Sequence, residues 1–563
     1  MTDARPPDTE TNTDVGTATK PAGSRADTPA ETPWWKSGVI YQIYVRSFAD
    51  SNRDGIGDLR GVRDRLDHLE WLGVDGIWLS PVTVSPDADW GYDVADYQAV
   101  QPQFGTLADL DDLIEAAGAR GIRVMLDLVP NHTSDRHSWF VDSRSSRQSA
   151  RRDWYVWADP RPGHAPPNNW VSSFGGPAWT FDEATGQYYL HNFLPEQPDL
   201  NWWNDDVRRA FDDILRFWWD RGVAGFRIDV CHMIVKDALL RDNPPATEDD
   251  PFIMQVFGQR PVHNANQPEV HTILRHWRQV ADERDPQRVL LGETNVEELE
   301  TLATYYGSGT DELNLGFNFP FIESPFEADP LRTVVERTES LLPPAAWPVW
   351  TGSNHDVSRL ATRWAAGDPV RVRLALMMLL TMRGTPVLYQ GDEIGLTDMD
   401  ITKDDVHDPV GLRFWPAYKG RDPERTPMPW DGSAHSGFTT PDATPWLPLG
   451  DPPTNVADQR GDPDSILTMA RDLIALRRRT RDILEGDYGS LSAPPGTWVW
   501  RRGTGIVVAL NMSDQQRDVG LGDVGLGDVA ATVVLGTDRS RDGTTVDGTI
   551  KLGPWEGVVV STS

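Results

Sequence analysis

Along the chain one pattern recurs: an amphipathic helix, a glycine, then a short apolar stretch that ends in polar residues. Val39–Val45 (VIYQIYV) reads as a buried strand. Val62, Leu66, Leu69 and Leu72 follow at helical spacing, Gly73 ends that helix, and VDGIWLSP is the next strand. Thr106 caps a second helix with Asp109 three residues on, as in a capping box, and Leu107, Leu110, Leu113 and Ala117 make its apolar face. Gly121 then leads into IRVMLDLVPNH. Asn204 caps a third helix, with Val207, Phe211, Ile214, Leu215 and Trp218 facing inward and Gly222 stopping it before VAGFRIDV.

Four more strands of this type follow: VLLGE (289–293), LNLGFNF (313–319), PVWTGSNHD (348–356) and TPVLYQGDE (385–393). Eight alternating strand–helix units predict an α/β fold of the (β/α)8 TIM-barrel type, with its active site at the C-terminal ends of the strands. A doubly wound sheet is the alternative. About 70 residues rich in Trp, Pro and Gly separate Asn131–His132 from the third helix, which predicts an inserted small domain after strand 3. Further insertions fall near 241–250 and 395–460. The helix SILTMARDLIALRRR closes the barrel, and after about residue 486 short strands such as TWVWRR, IVVALNM and ATVVLG predict a C-terminal all-β domain. The expected organisation is a disordered tail (1–33), a barrel in two parts (34–132 and 204–485) around the insert (133–203), and the β domain (486–563). VGLGD occurs twice within 519–528 and reads as a glycine-rich loop.

Composition narrows the partners. Of 563 residues, 85 are Asp or Glu against 53 Lys or Arg, a formal net charge of −32. Such a surface repels phosphates, so nucleic acid and anionic membrane are excluded as main partners, and a neutral small molecule fits better. Only six of the basic residues are Lys; salt adaptation and an arginine-biased host both remain open. The single cysteine, Cys231, excludes an intrachain disulfide and any multi-cysteine metal site, and reads as a buried thiol. It points to a reducing, cytoplasmic setting. No apolar run is long enough for a transmembrane helix, and the first 33 residues lack the apolar core of a secretory signal. The 24 Trp read mostly as packing, with Trp90, Trp170 and Trp179 as candidates to line a sugar cleft.

Three acids, Asp229, Glu293 and Asp356, each fall at an expected strand end, together with Asp127, His132 and His355. Cleaving a glycosidic bond takes one carboxyl to protonate the leaving oxygen and another to attack or stabilise the sugar cation. Arg227, two residues before Asp229, points to the same side of its strand, where a guanidinium would keep Asp229 ionised.

These blocks resemble glycoside hydrolase family 13, the α-amylase family. DLVPNH (127–132), GFRIDV (225–230), LLGETN (290–295) and TGSNHD (351–356) match its four best-known motifs in order and spacing. The resemblance implies Asp229 as nucleophile, Glu293 as general acid/base, and Asp356 as the acid that binds the sugar hydroxyls. It implies that His132 and His355 contact the same sugar and that Arg227 orients the nucleophile. Configuration is then retained by double displacement, with the two carboxyls about 5–5.5 Å apart. QPDLN (197–201) resembles the oligo-1,6-glucosidase and α-glucosidase subfamily, in which Asp89 and Tyr92 of DWGYD and Arg421 of GRDPERTPMPW would hold the terminal glucose. Trp90 stands where an Asn is usual. Val230 resembles isomaltose-cleaving members, while CHMIVK and the long 241–260 segment depart from them.

The resemblance thus implies an exo-acting retaining α-glucosidase on short oligosaccharides, with α-1,6 and α-1,4 linkages both open. A transglucosylase or isomerase of the same family is the alternative, and a non-catalytic binding subunit a more distant one. Asp50, Asn52, Asp54 and Asp58 have the alternating oxygen spacing of a calcium loop without the final Glu of an EF-hand; a plain turn-rich loop is the other reading. In the subfamily such a loop resembles a structural Ca2+ site, sometimes Mg2+, with the Ile56 carbonyl as a further ligand.

Overall fold

The computed structural model describes residues 32–450, 454–522 and 531–562. The expected tail therefore lies almost wholly outside the described residues, as does the whole second VGLGD copy. Eight parallel strands form one sheet: β1 (Ile40–Ile43), β2 (Gly76–Leu79), β3 (Arg123–Leu128), β4 (Gly225–Ile228), β5 (Val289–Gly292), β6 (Leu315–Gly316), β7 (Val349–Thr351) and β8 (Thr385–Tyr389). Ile40 pairs with Gly76 on one side and Val387 on the other, so the first strand joins the last and the sheet curls into a nearly closed barrel. Only β6 and β7 share no ladder among the described residues.

Apolar runs such as GIWL and VLLG suit these strands because a parallel sheet is covered on both faces. Alternate residues divide between the two faces. Ile40, Trp78, Met125, Leu291, Val349 and Val387 fill the interior, while Tyr41, Ile77, Val124 and Leu290 pack outward under the helices.

The helix boundaries follow local chemistry. Thr106 and Asp109 form the expected capping box on α3 (Leu107–Ala119), and Asn204 caps α4 (Asp205–Asp220). Gly73 adopts φ 94° and donates its N–H to the Leu69 carbonyl, ending α2 (Leu66–Leu72). The first expected helix is in fact two, α1 (Leu59–Asp64) and α2, broken at Arg65. The Arg65 guanidinium turns over the Trp430 ring and donates to the Gly437 carbonyl. Strand six is shorter than its pattern suggested, because the Asn318 side chain caps a short helix at Phe319–Glu323.

Between β3 and α4 lies a three-stranded antiparallel sheet, Trp157–Ala158, Gln187–Leu190 and Trp179–Asp182, with its own small core around Trp170 and Trp179. The chain returns to the barrel through a bridge between His132 and Asp199. At the other end, a six-stranded antiparallel sheet from Tyr488 to Ser561 covers α5 (Pro369–Thr381), which explains why that helix is apolar on nearly every face. Arg517–Gly520, whose last two residues begin the expected glycine-rich loop, instead pairs with Thr549–Leu552. No helix among the described residues is long and apolar enough to cross a membrane.

Candidate active site

At the C-terminal ends of the strands a cavity of ≈ 260 Å³ opens, lined by Asp229 beyond β4, Glu293 beyond β5 and Asp356 beyond β7. Asp89 and Tyr92 from the β2 loop, His132 beyond β3 and Arg421 from the segment after β8 complete its polar wall. Phe174 and Phe193 from the inserted domain, with Val230 and Met233, make the less polar side. Of the nine expected catalytic and sugar-binding residues, seven line this cavity and two, Arg227 and His355, stand directly behind it.

Arg227 is the hub. Its Nη1 lies 2.7 Å from Oδ1 of Asp229 and 2.9 Å from Oδ1 of Asp127, and its Nη2 lies 2.8 Å from Oε2 of Glu293. Three buried carboxylates thus share one guanidinium. The expectation that Arg227 simply holds Asp229 ionised is corrected by this count. Burial pushes the Asp229 carboxyl well above its ordinary value, Arg227 opposes it, and Glu293 and Asp127 add to the rise. Asp127 is pushed up to about 7, chiefly by burial. Its Oδ2 accepts from the Tyr92 hydroxyl and from Nε1 of Trp78, both at 3.2 Å. Asp127 was legible as a strand-end acid, but nothing in its spacing tied it to Arg227.

Asp356 has the opposite environment. Burial disfavours its charge, but His355, Arg421 and Arg425 outweigh that and hold the carboxyl far below the usual range. Its Oδ1 lies 2.6 Å from Arg425 and 3.2 Å from Arg421. His355 itself is brought down to about 3, mainly by burial, so at neutral pH its ring is uncharged and the two arginines hold Asp356. The ring stacks on Tyr92 and Nδ1 lies 2.7 Å from Nε2 of Gln42. His132 is likewise brought down to about 4 by burial.

One end of the cavity is shut. Arg421 Nη2 lies 2.7 Å from Asp89, and Gln197 Nε2 donates to the other Asp89 oxygen at 3.1 Å while lying 3.0 Å from Nε2 of His132. Gln197 is the first residue of QPDLN. The third, Asp199, pairs at 2.8 Å with the buried Lys236, which also donates to Asn131 at 2.6 Å. The motif therefore fastens the inserted domain to the barrel beside the cavity.

The Trp candidates lie elsewhere. Trp170 and Trp179 are core residues of the inserted domain, and Trp90 packs behind Asp89 against His407 and Trp446. Cys231 is buried, and a Cβ on Gly292 would come within 3.0 Å of its Sγ, so the thiol fills space against β5. In the loop of Asp50, Asn52, Asp54, Ile56 and Asp58 the donors are all oxygen, the chemistry a hard cation prefers. Asp50 accepts from the amides of Asn52, Arg53 and Gly55, and Asp58 caps α1 and accepts from Ser51. Among the described residues no three His, Cys, Asp or Glu side chains converge as a metal-binding group.

A (β/α)8 barrel with two carboxylates bridged by one guanidinium in a blind cavity is the architecture of a glycoside hydrolase. The chain belongs to the α-amylase family: residues 42–486 match the family described as alpha amylase, catalytic domain. It is 43% identical over 499 residues to a probable alpha-glucosidase of Rhizobium meliloti (strain 1021), covering 86% of this chain and 90% of that one. It is 40% identical over 526 residues to the oligo-1,6-glucosidase of Heyndrickxia coagulans, covering 86% and 93%. Among solved structures, the alpha-glucosyl transfer enzyme XgtA superposes with a TM-score of 0.86 at 39% identity, covering 95% of this chain and all of that one.

Proposed function

We propose that this glycoside hydrolase is an exo-acting, retaining α-glucosidase that removes glucose from the non-reducing end of short α-glucosides. The observation that carries this reading is the Arg227 guanidinium spanning Asp229 and Glu293 in a cavity whose far end is closed by the Asp89–Arg421 pair. A closed end admits one terminal sugar. One guanidinium within 2.8 Å of both carboxyls supports the close spacing, about 5–5.5 Å, of a retaining pair.

In the first step the Asp229 carboxylate forms a bond to C1 while the C1–O glycosidic bond breaks and Glu293 gives its proton to the departing oxygen. In the second, Glu293, now a carboxylate, takes a proton from water as the water oxygen bonds to C1 and the Asp229–C1 bond breaks. Asp356 stays ionised throughout and accepts hydrogen bonds from the sugar hydroxyls; Arg421 donates to the same ring and His132 lies against it. Transfer to a sugar or alcohol in place of water is the second reading, supported by the similarity to an alpha-glucosyl transfer enzyme. Val230 on the less polar wall favours α-1,6 over α-1,4 linkages. The Asp50–Asp58 loop is proposed to take Ca2+, or Mg2+, as a structural ion remote from the chemistry.

Incubation with isomaltose, maltose, sucrose and trehalose, with products resolved by chromatography and the first-formed anomer read by NMR, tests this. The α-anomer of glucose is expected, with kcat/KM on isomaltose at least matching maltose. Asp229→Asn is expected to lower turnover at least about a thousandfold while keeping the fold. A β-anomer, or wild-type-like turnover by D229N, would reject the mechanism. A tenfold preference for maltose would reject the role of Val230.

A further inference from the structure

Directly after the nucleophile, the backbone of Val230 has φ 33° and ψ 47°. It is the one β-branched residue among the described residues with a left-handed backbone, a conformation in which the branched side chain crowds its own main chain. Such strain persists only where the surroundings enforce it. Here the enforcing contacts converge on a single residue. The Val230 N–H donates to Oε2 of Glu293 at 2.8 Å, and the next amide, Cys231 N–H, donates to the Glu293 carbonyl at 3.1 Å. A left-handed residue running into the helical turn Cys231–Met233 aims successive N–H groups to one side, the arrangement that forms anion-holding nests.

Oε2 of Glu293 therefore accepts from the Val230 amide at 2.8 Å and is ion-paired with Arg227 Nη2, also at 2.8 Å. An oxygen that accepts an amide hydrogen bond beside a guanidinium is a poor place for a proton. Oε1 has no donor among the described residues, on a side chain that lines the cavity.

We propose that the left-handed turn at Val230 is a positioning device for the acid/base: its peptide clamps Oε2 of Glu293, so that Oε1 carries the proton and delivers it to the glycosidic oxygen. This rests on the reading of Glu293 as acid/base. Val230 acts through Glu293 by its main chain, separately from any contact its side chain makes with substrate.

The test compares a substrate that needs a proton to depart, isomaltose, with one that does not, α-glucosyl fluoride, reading the first turnover by rapid quench. Replacing Val230 by its hydroxy-acid analogue swaps the N–H for an ester oxygen and keeps the side chain. That change is expected to slow isomaltose cleavage about thirtyfold, as for loss of a hydrogen bond to a charged group, and fluoride release less than about threefold. Val230→Gly keeps the amide and adopts the left-handed turn freely while removing the side chain from the cavity wall, and its isomaltose-to-fluoride ratio is expected to fall less than the ester's. Equal slowing on both substrates by the ester, or no slowing on isomaltose, would overturn the proposal. So would a V230G ratio as low as the ester's; should the ester chain fail to fold, the position of the Glu293 proton in a neutron structure decides, on Oε1 supporting the clamp and on Oε2 overturning it. E293Q serves as the control and is expected to show the same split. If it shows none, the acid/base reading falls and the clamp with it; a split in E293Q without one in the ester rejects the clamp alone.

Discussion

Arg421 holds Asp408 at 2.7 Å through Nη2, although Asp408 itself contributes nothing to the cavity wall. The same guanidinium reaches Asp89 and Asp356, so one side chain neutralises three acids at the closed end of the cavity. Burial disfavours the charge on Asp408, and the charge and hydrogen bonds of Arg421 outweigh it. Removing the arginine would leave Asp408 and Asp89 buried without their shared partner.

Arg421→Ala is therefore expected to lower kcat/KM on isomaltose at least about thirtyfold, since truncating one partner of a buried charge pair costs about 2–5 kcal/mol. Arg421→Lys cannot bridge all three acids and is expected to recover only part of the loss. Steady-state kinetics check both. An R421A enzyme with unchanged kcat/KM would show that the Asp89–Arg421 pair does not shape sugar binding.

The acids around Arg227 set a pH dependence. The Asp229 carboxyl must be ionised to attack, and burial together with Glu293 and Asp127 raises it, so the acid limb of kcat/KM should lie well above an ordinary aspartate. Asp127→Asn removes an acid that shares the Arg227 guanidinium with Asp229 and is expected to move that limb to lower pH, even as it lowers the maximum. A limb that stays put or rises would mean Asp127 does not compete with Asp229 for Arg227. The same group bears on stability. Its folded value of about 7 exceeds that of an unfolded aspartate, so the folded chain keeps a proton that the unfolded chain releases. Its contribution is present below the unfolded value and lost as pH rises toward 7. The melting temperature of D127N relative to wild type is thus expected to increase between pH 4 and 7.

For the Asp50–Asp58 loop, EDTA is expected to lower the melting temperature and elemental analysis to find one Ca2+ or Mg2+ per chain. Removal leaves activity per folded molecule unchanged, because none of the loop's residues lines the catalytic cavity. No thermal shift and no bound metal would reject the site.

Much of this site was legible in the chain itself because its residues sit at strand ends, where the periodic pattern breaks into polar residues. Asp229, Glu293 and Asp356 arrive that way, and the caps at Thr106 and Asn204 place the helices between them. What was hidden depends on loops that fold back from far along the chain. Arg425 and Asp408 reach Asp356 and Arg421 from a segment with no regular period, so no spacing announces them. The left-handed turn at Val230 was equally silent, since a β-branched residue signals extended backbone. The break at Arg65 and the strand at Arg517–Gly520 likewise depend on partners distant in sequence, Trp430 and Thr549–Leu552.

The pairing of Ile40 with Val387 has a consequence during synthesis. The first strand emerges from the ribosome with one of its two neighbours more than three hundred residues away. At about 5–20 residues per second that partner follows only after roughly 20–70 s. Until then one edge of β1 and the interior face shared by Ile40, Trp78 and Met125 stay open to other nascent chains, which makes the N-terminal half of this enzyme the part that a chaperone would be expected to hold.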